Sequence, residues 1–362
     1  MTERLVFACS GSARSATAIR TLAVRHGAEV VALTLDLGQG QAVEEAHDRA
    51  LEAGAVRAHV LDVREEFARD FVLPALQAGA RREGGDPMAL PLAHAIIARK
   101  LVDMAAIEDA RTVAHGGAGT DRVRIAAAVR ALEPGLRVLA VDGEGRGPAE
   151  APPSGAVRAN LWGREIDTDG AAPVPESLFA CTTSLSAAPD AGAHVDIAFE
   201  RGVPTAINGV PLALTELIES LSIIAGQHGI GRVAGLPDPD GPPRIHEIPA
   251  ATVLHTAHDA LATVAAAPGL ARIRAECGSA YADCIWNGGW FTPLREALDA
   301  FTAAVQVRIT GVVRVELLKG KHTITSCQAP CASAPPRTSN DVEGRVGAAA
   351  GALAAQAALP HP

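Results

Sequence analysis

Between residues 4 and 141 the chain alternates short apolar runs with amphipathic helical patterns, and this alternation limits the fold more than any other feature. The apolar runs fall at 4–9, 29–35, 57–61, 112–115 and 136–141, with helical patterns at 15–26, 41–53, 64–78, 92–109 and 121–132. Runs this short and this continuously apolar fit strands of a parallel sheet buried on both faces. Strand followed by helix, repeated, predicts a doubly wound α/β domain that takes its ligands at the carboxyl ends of the strands. The loops after Cys9, Leu35 and His115 then share one edge. The first of them, Ser10-Gly11-Ser12-Ala13-Arg14-Ser15-Ala16, feeds directly into a helix. Backbone N–H groups at such a start suit an anion, most often a phosphate.

The second half changes character. A Gly/Pro-rich stretch at 143–155 reads as a linker or loop. Strands are expected at 194–200 and 203–207, followed by an Asn208-Gly209 hairpin turn. Amphipathic helices at 212–228 and 291–308, and a strand pair at 311–318 and 322–325, complete an α+β unit. A polar turn is expected at 237–243. A helical run at 343–358 either packs on another subunit or frays as a terminus. The domain expectation is therefore 1–160, 161–326 and a tail at 327–362, consistent with a chain of 362 residues.

Composition narrows the function classes. The net charge of −9, with no long basic block, argues against non-specific nucleic-acid binding. No window approaches the ~20 apolar residues of a membrane helix. No leader pattern opens the chain, because acidic Glu3 precedes a short apolar run, so a cytoplasmic location is expected. The six cysteines then read as thiols. Cys327 and Cys331 lack a second pair at ligand spacing, so no metal site is expected.

Several segments, read in order, resemble the argininosuccinate synthase family. They are Asp36-Leu37-Gly38-Gln39-Gly40, the run from Asp62 to Leu76, and Ala114-His115-Gly116. Asn160-Leu161-Trp162-Gly163-Arg164, His228-Gly229-Ile230-Gly231-Arg232 and the run from Pro293 to Phe301 follow. The resemblance implies a nucleotide-binding domain of the pyrophosphatase-loop type (adenine nucleotide alpha hydrolase-like), an α+β synthetase domain and a C-terminal helix. It implies a homo-oligomer, tetramer or dimer, and ATP with Mg²⁺ if the chain is active, otherwise no cofactor. The family reaction adenylates citrulline and lets the aspartate amine displace AMP.

The matched nucleotide positions are Ala8, Ser10, Gly11, Ser15, Leu35, His115, Gly116 and Gly119, and the matched substrate positions are Asp121 and Arg124. Asp121 can equally cap a helix, with Arg124 one turn on. Other positions differ from the family pattern. Ser12, Arg14 and Ala16 replace Gly, Asp and Ser in the phosphate loop, and Ala118 replaces Thr. Arg82 and His246 replace two tyrosines, Leu90 and Pro91 a Thr-Ser pair, and Glu165 a serine, with Ala156 and Pro237 further exchanges. His94 is a new polar residue beside them. Arg14, Arg82, His94, Arg124 and His246 together predict a cation-rich pocket for an amino acid or another small anion, or else are solvated surface residues, the reading preferred for Arg14 in the first turn of its helix. The expectation is an AMP-forming C–N ligase with an altered substrate. The alternative is a non-catalytic binding or partner protein on the same scaffold.

Overall fold

A computed structural model describes residues 3–40, 43, 45–117, 119–141, 157–168, 170, 173–235, 243–265 and 268–329. The linker at 143–155, Ala118, Ala156, Pro237, the turn at 237–242, Cys331 and the helical run at 343–358 lie outside the described residues.

The first unit is a parallel five-stranded sheet: β1 (Arg4–Ala8), β2 (Glu29–Asp36), β3 (Arg57–Asp62), β4 (Thr112–His115) and β5 (Arg137–Ala140). The strand order is β3-β2-β1-β4-β5, so the order in which strands are added across the sheet reverses between β1 and β4. Successive residues of a strand face opposite sides. Val6, Val31, Leu33 and Val113 enter one core, and Leu5, Phe7, Val30 and Ala114 enter the other. Helix α1 (Ala13–His26) covers the second core and ends at Gly27, with φ 58. Helix α2 (Ala46–Glu52) begins later than the expected 41. β3 and β5 are edge strands and only half-buried, unlike the central three; their charged ends Arg57 and Arg137 are exposed.

The helix expected over 64–78 has a change of winding. α3 (Arg64–Phe67) passes through a π-helical turn (Ala68–Val72) into α4 (Leu73–Ala78). The wide turn falls just before Pro74, which has no N–H to continue the regular ladder. α5 (Ala89–Ile107) and α6 (Gly119–Leu132) complete the first unit.

The second unit holds two antiparallel sheets. β6 (Val157–Asn160), β7 (Gly163–Asp167), β11 (Arg232–Gly235) and β12 (Arg244–Glu247) form one, in the order β11-β12-β7-β6. β8 (Ala193–Glu200), β9 (Val203–Ile207), β10 (Val210–Pro211), β13 (Gly311–Leu318) and β14 (Lys321–Gln328) form the other. The turn between β9 and β10 is the expected Asn208-Gly209, both with positive φ. Helices α7 (Leu214–Gln227), α8 (Pro249–Ala265), α9 (Pro268–Trp286) and α10 (Pro293–Gln306) pack around them. The sequence reading assigns no strand to the first sheet and no helix to α8 or α9. The β6–β7 hairpin straddles residue 160, where the sequence reading divides the chain. No helix among the described residues is long and apolar enough to cross a membrane. The described cysteines are unbonded thiols.

Candidate functional site

The reversal between β1 and β4 leaves a crevice at the carboxyl edge, where ligands of such sheets sit. After β1 the chain turns at Gly11, whose φ of 72 suits glycine. The Ser15 hydroxyl accepts from the Ser10 N–H at 3.1 Å and lies 2.9 Å from the Ser10 hydroxyl. The Ser12 hydroxyl lies 3.0 Å from that of Ser10 and accepts from the Ser15 N–H at 3.3 Å, capping α1. Three hydroxyls therefore converge on a helix N-terminus with no acidic residue in its first turn. Arg49 braces the loop by donating to the Gly11 carbonyl at 2.9 Å. Arg14 is exposed and Ala16 half-buried on α1.

The two other edge loops are held by their own side chains. Gln39 donates to the Leu35 carbonyl at 2.5 Å and accepts from the Leu37 N–H at 2.6 Å. The Leu37 carbonyl accepts from the Leu161 N–H at 2.6 Å, which ties this loop to the β6–β7 turn. His115, buried at the end of β4, accepts from the Gly117 N–H through Nδ1 at 3.2 Å. Burial pulls its pKa down to about 4, so the ring is neutral at pH 7. Gly116 and Gly119 are exposed beside it, where α6 begins.

From His115 a continuous set of charged groups leads to the β11-β12-β7-β6 sheet. Arg158, Glu165 and His246 lie opposite one another across β6, β7 and β12, and Asp167 pairs in register with Arg244. Residues two apart on a strand share a face. This face is therefore charged rather than apolar, and it looks toward Asp86, the start of α5, the start of α6 and Trp286. Leu90, Pro91, Asp86, Asp121, Arg124, Glu165, Arg244, His246 and Trp286 line a small cleft that is partly open to solvent. A second small space adjoins it through Pro91 and Arg124 and is lined by His94 and Trp290.

The charges on this face are largely matched. Arg124 donates to Asp121 at 2.8 Å and to the Trp286 carbonyl at 2.6 Å, and its guanidinium stacks 3.8 Å from the indole centroid. Arg82 stacks on the same indole at 3.6 Å. Asp167 accepts from Arg158 at 2.7 Å and from Arg244 at 3.3 Å. Asp86 accepts from the Met88 N–H at 2.8 Å, fixing the turn into α5. Glu165 differs: it is 3% exposed, and its nearest cations, Arg158 and Arg244, stand at 3.7 and 3.9 Å. Its Oε2 and both ring nitrogens of His246 are buried without a hydrogen bond. Burial raises the Glu165 carboxyl to about 7, above its usual 4.5, and lowers His246 and His94 below 6.5.

The structure thus corrects one expectation. The cation-rich pocket predicted from Arg14, Arg82, His94, Arg124 and His246 does not form. Arg14 faces solvent, the two histidines are neutral at pH 7, and Asp86, Asp121 and Glu165 stand among the arginines. Asp121 and Arg124 do meet at the cavity, with His94 Nδ1 3.7 Å from Asp121. Sequence reasoning missed Asp86, Arg158, Asp167, Arg244 and Trp286. The signal was charge at every second position: Glu165-x-Asp167 and Arg244-x-His246, with Ile166 and Ile245 between.

Matched segments outside the cavity act as framework. Asn160 donates to the Ala89 carbonyl at 2.8 Å and accepts from the Trp162 N–H at 2.8 Å. Glu247, fully buried, pairs with Arg164 and accepts from the N–H groups of Ala180 (3.1 Å) and Cys181 (3.0 Å) and from the Thr182 hydroxyl (2.7 Å).

Comparison with known proteins places these features in a family. Residues 4–145 match the arginosuccinate synthase N-terminal HUP domain, and residues 156–334 match the arginosuccinate synthase C-terminal domain. An argininosuccinate synthase of Streptococcus suis is 36% identical over 91% of this chain and 88% of its own length. One from Bacillus pumilus is 36% identical over 91% and 87%. One from Symbiobacterium thermophilum is 38% identical over 88% and 86%. A solved universal stress protein from Archaeoglobus fulgidus aligns with 39% of this chain and 95% of its own at 16% identity, but its TM-score of 0.23 carries no argument.

Proposed function

This chain belongs to the argininosuccinate synthase family, and from that premise we propose that it is an ATP-dependent ligase that joins an amine to an activated substrate with release of AMP and pyrophosphate. The observation that carries the reading is the convergence of Ser10, Ser12 and Ser15 on the N-terminus of α1, at the reversal point of the sheet. Those hydroxyls and N–H groups fit the oxygens of a triphosphate and of the pyrophosphate it releases. No group of three or more His, Cys, Asp or Glu among the described residues is placed to hold a metal. Mg²⁺ would accordingly arrive on the nucleotide's own phosphates, where it neutralises charge.

The neighbouring cavity supports an amino acid as the second ligand. A zwitterion needs both signs of charge close together, and Asp86, Asp121, Arg124 and Arg244 supply both. The geometry lets α1 hold the phosphates while the charged face orients the acceptor next to them, a proximity effect.

One observation favours a second reading. Arg124 is spent on Asp121 and on Trp286, an arrangement expected of a non-catalytic binding protein whose pocket has closed on itself. Pyrophosphate release with ATP, aspartate and a panel of amino acids separates the two. Release that depends on an amino acid, and that falls at least ~10-fold in Ser15→Ala, supports the ligase. Failure of ATP to bind at millimolar concentration leaves the non-catalytic reading.

A further inference from the structure

We propose that Glu165, with His246 and Asp86, forms a subsite for a protonated amine of a ligand that docks in the cleft between the β11-β12-β7-β6 sheet and the starts of α5 and α6. The inference rests on the amino-acid reading above and names which end of the ligand this wall takes.

Three acceptors line one wall of the cleft. His246 Nδ1 lies 3.8 Å from Asp86 Oδ1 and 3.9 Å from Glu165 Oε1, so a donor seated beside them can reach His246 and one of the carboxylates together. All three side chains are more than nine-tenths buried, and all three line the cavity. Neither ring nitrogen of His246 makes a hydrogen bond, and nor does Glu165 Oε2, whose nearest cations, Arg158 and Arg244, stand at 3.7 and 3.9 Å. A buried carboxylate left unbonded is costly, so folded proteins keep such groups paired unless something else completes them. An ammonium brings three N–H donors and a positive charge, which meets the need of Glu165 and His246, while Asp86, already bonded to the Met88 N–H, adds a negative charge beside it.

The surroundings exclude the opposite choice. An anion here would face Asp86, Asp121 and Glu165, with Asp167 behind them. The arginines that could receive it, Arg124 and Arg158, already donate to Asp121 and Asp167, and Arg244 donates to Asp167. Trp286 cannot offer a face to the cation, since Arg82 and Arg124 stack on it. Recognition is left to the three acceptors.

An amino acid with an amine at each end could use either, and three probes distinguish the sources. L-ornithine carries both amines, L-norvaline lacks the side-chain amine, and Nα-acetyl-L-ornithine lacks the α-amine. Calorimetric titration of the full chain with each, and with L-glutamate, needs no ATP and no turnover. Loss of ligase activity therefore leaves this measurement standing, and a failure here leaves pyrophosphate release to be judged separately. The expected result is that removing one of the two amines weakens binding at least ~10-fold, and that Glu165→Gln abolishes the difference. A melting curve of Glu165→Gln no lower than the parent's excludes simple loss of fold. Equal binding of the three amines, binding of none, preference for L-glutamate, or an amine preference unchanged in Glu165→Gln overturns the proposal.

Discussion

A carboxyl kept for a ligand should cost stability when the ligand is absent, and Glu165 allows the cost to be worked out. Its carboxyl titrates at about 7 in the fold against 4.5 without burial. At about 1.4 kcal/mol per tenfold change, the ionised fold bears a penalty of about 3 kcal/mol. The sign follows from proton binding. Between 4.5 and 7 the native state holds the proton more tightly than the unfolded chain, so stability falls as pH rises through this window, and the full penalty is present above it. Glu165→Gln removes the charge at nearly constant volume. It should change stability little at pH 5 and raise it by up to about 3 kcal/mol at pH 8.5. Urea unfolding of parent and variant at the two pH values reads this directly, because the difference cancels every other titrating group. A variant that is less stable than the parent by a similar amount at both pH values refutes the reasoning. Glu165 would then be an anchor for Arg158 and Arg244 rather than an unpaired charge.

Other consequences are local. At Gly226, in the last turn of α7, a Cβ would collide with the Cys181 carbonyl oxygen, so Gly226→Ala should lower stability by about 2 kcal/mol or more, seen as a lower melting temperature. Glu108, 2% exposed at the amino edge of the parallel sheet, pairs with Arg57 at 2.8 Å, and its carboxyl is held below 4.5 by Arg57, His59 and Arg4. Glu108→Gln should cost about 1–2 kcal/mol at pH 7, discounted for the exposure of Arg57, and the cost should vanish as pH falls through the lowered value; denaturant midpoints at pH 7 and pH 3 check it. His258 bonds Gln306 at 2.9 Å through Nε2 and receives Arg274 at 3.1 Å on Nδ1, and burial lowers it to about 4. The unfolded chain takes up that proton first, so stability should drop by up to about 3 kcal/mol between pH 6.5 and 4, and His258→Gln should flatten the profile in urea titrations.

The first unit was legible because its sheet is built on burial alone. β1, β2 and β4 have apolar side chains on both faces, and a run such as 29–35 has little other use. The β9–β10 hairpin was legible because Asn208 and Gly209 both take positive φ, which their residue types announce. α8 was not, although Ala250, Ala251, Val253, Leu254, Ala257 and Leu261 share one face, because the polar His255 and His258 are buried beside them. The β11-β12-β7-β6 sheet was hidden for a reason that bears on function. Its strands read Val157-Arg158-Ala159-Asn160, Gly163-Arg164-Glu165-Ile166-Asp167 and Arg244-Ile245-His246-Glu247, with charge where a core-facing strand would carry Val or Ile.

The same charge that concealed the sheet determines what the cavity can accept. Read singly, Arg82 and His246 suggested attraction for an anion, because each was compared with the tyrosine expected at its own position. In the fold their effect depends on register. The ladder sets Glu165 opposite both Arg158 and His246, and Arg244 opposite Asp167. A one-residue slip in β7 would turn Ile166 into the cavity and send Glu165 to the other face, leaving Arg158 and Arg244 without carboxylates and the pocket cationic after all. The register is held at the start of β7, by the Asn160 turn toward β6 and by the Glu247–Arg164 pair toward β12. Asn160, Arg164 and Glu247 do not themselves line the cleft. The framework therefore decides the sign of the pocket, and the residues that line it decide which donors can be matched.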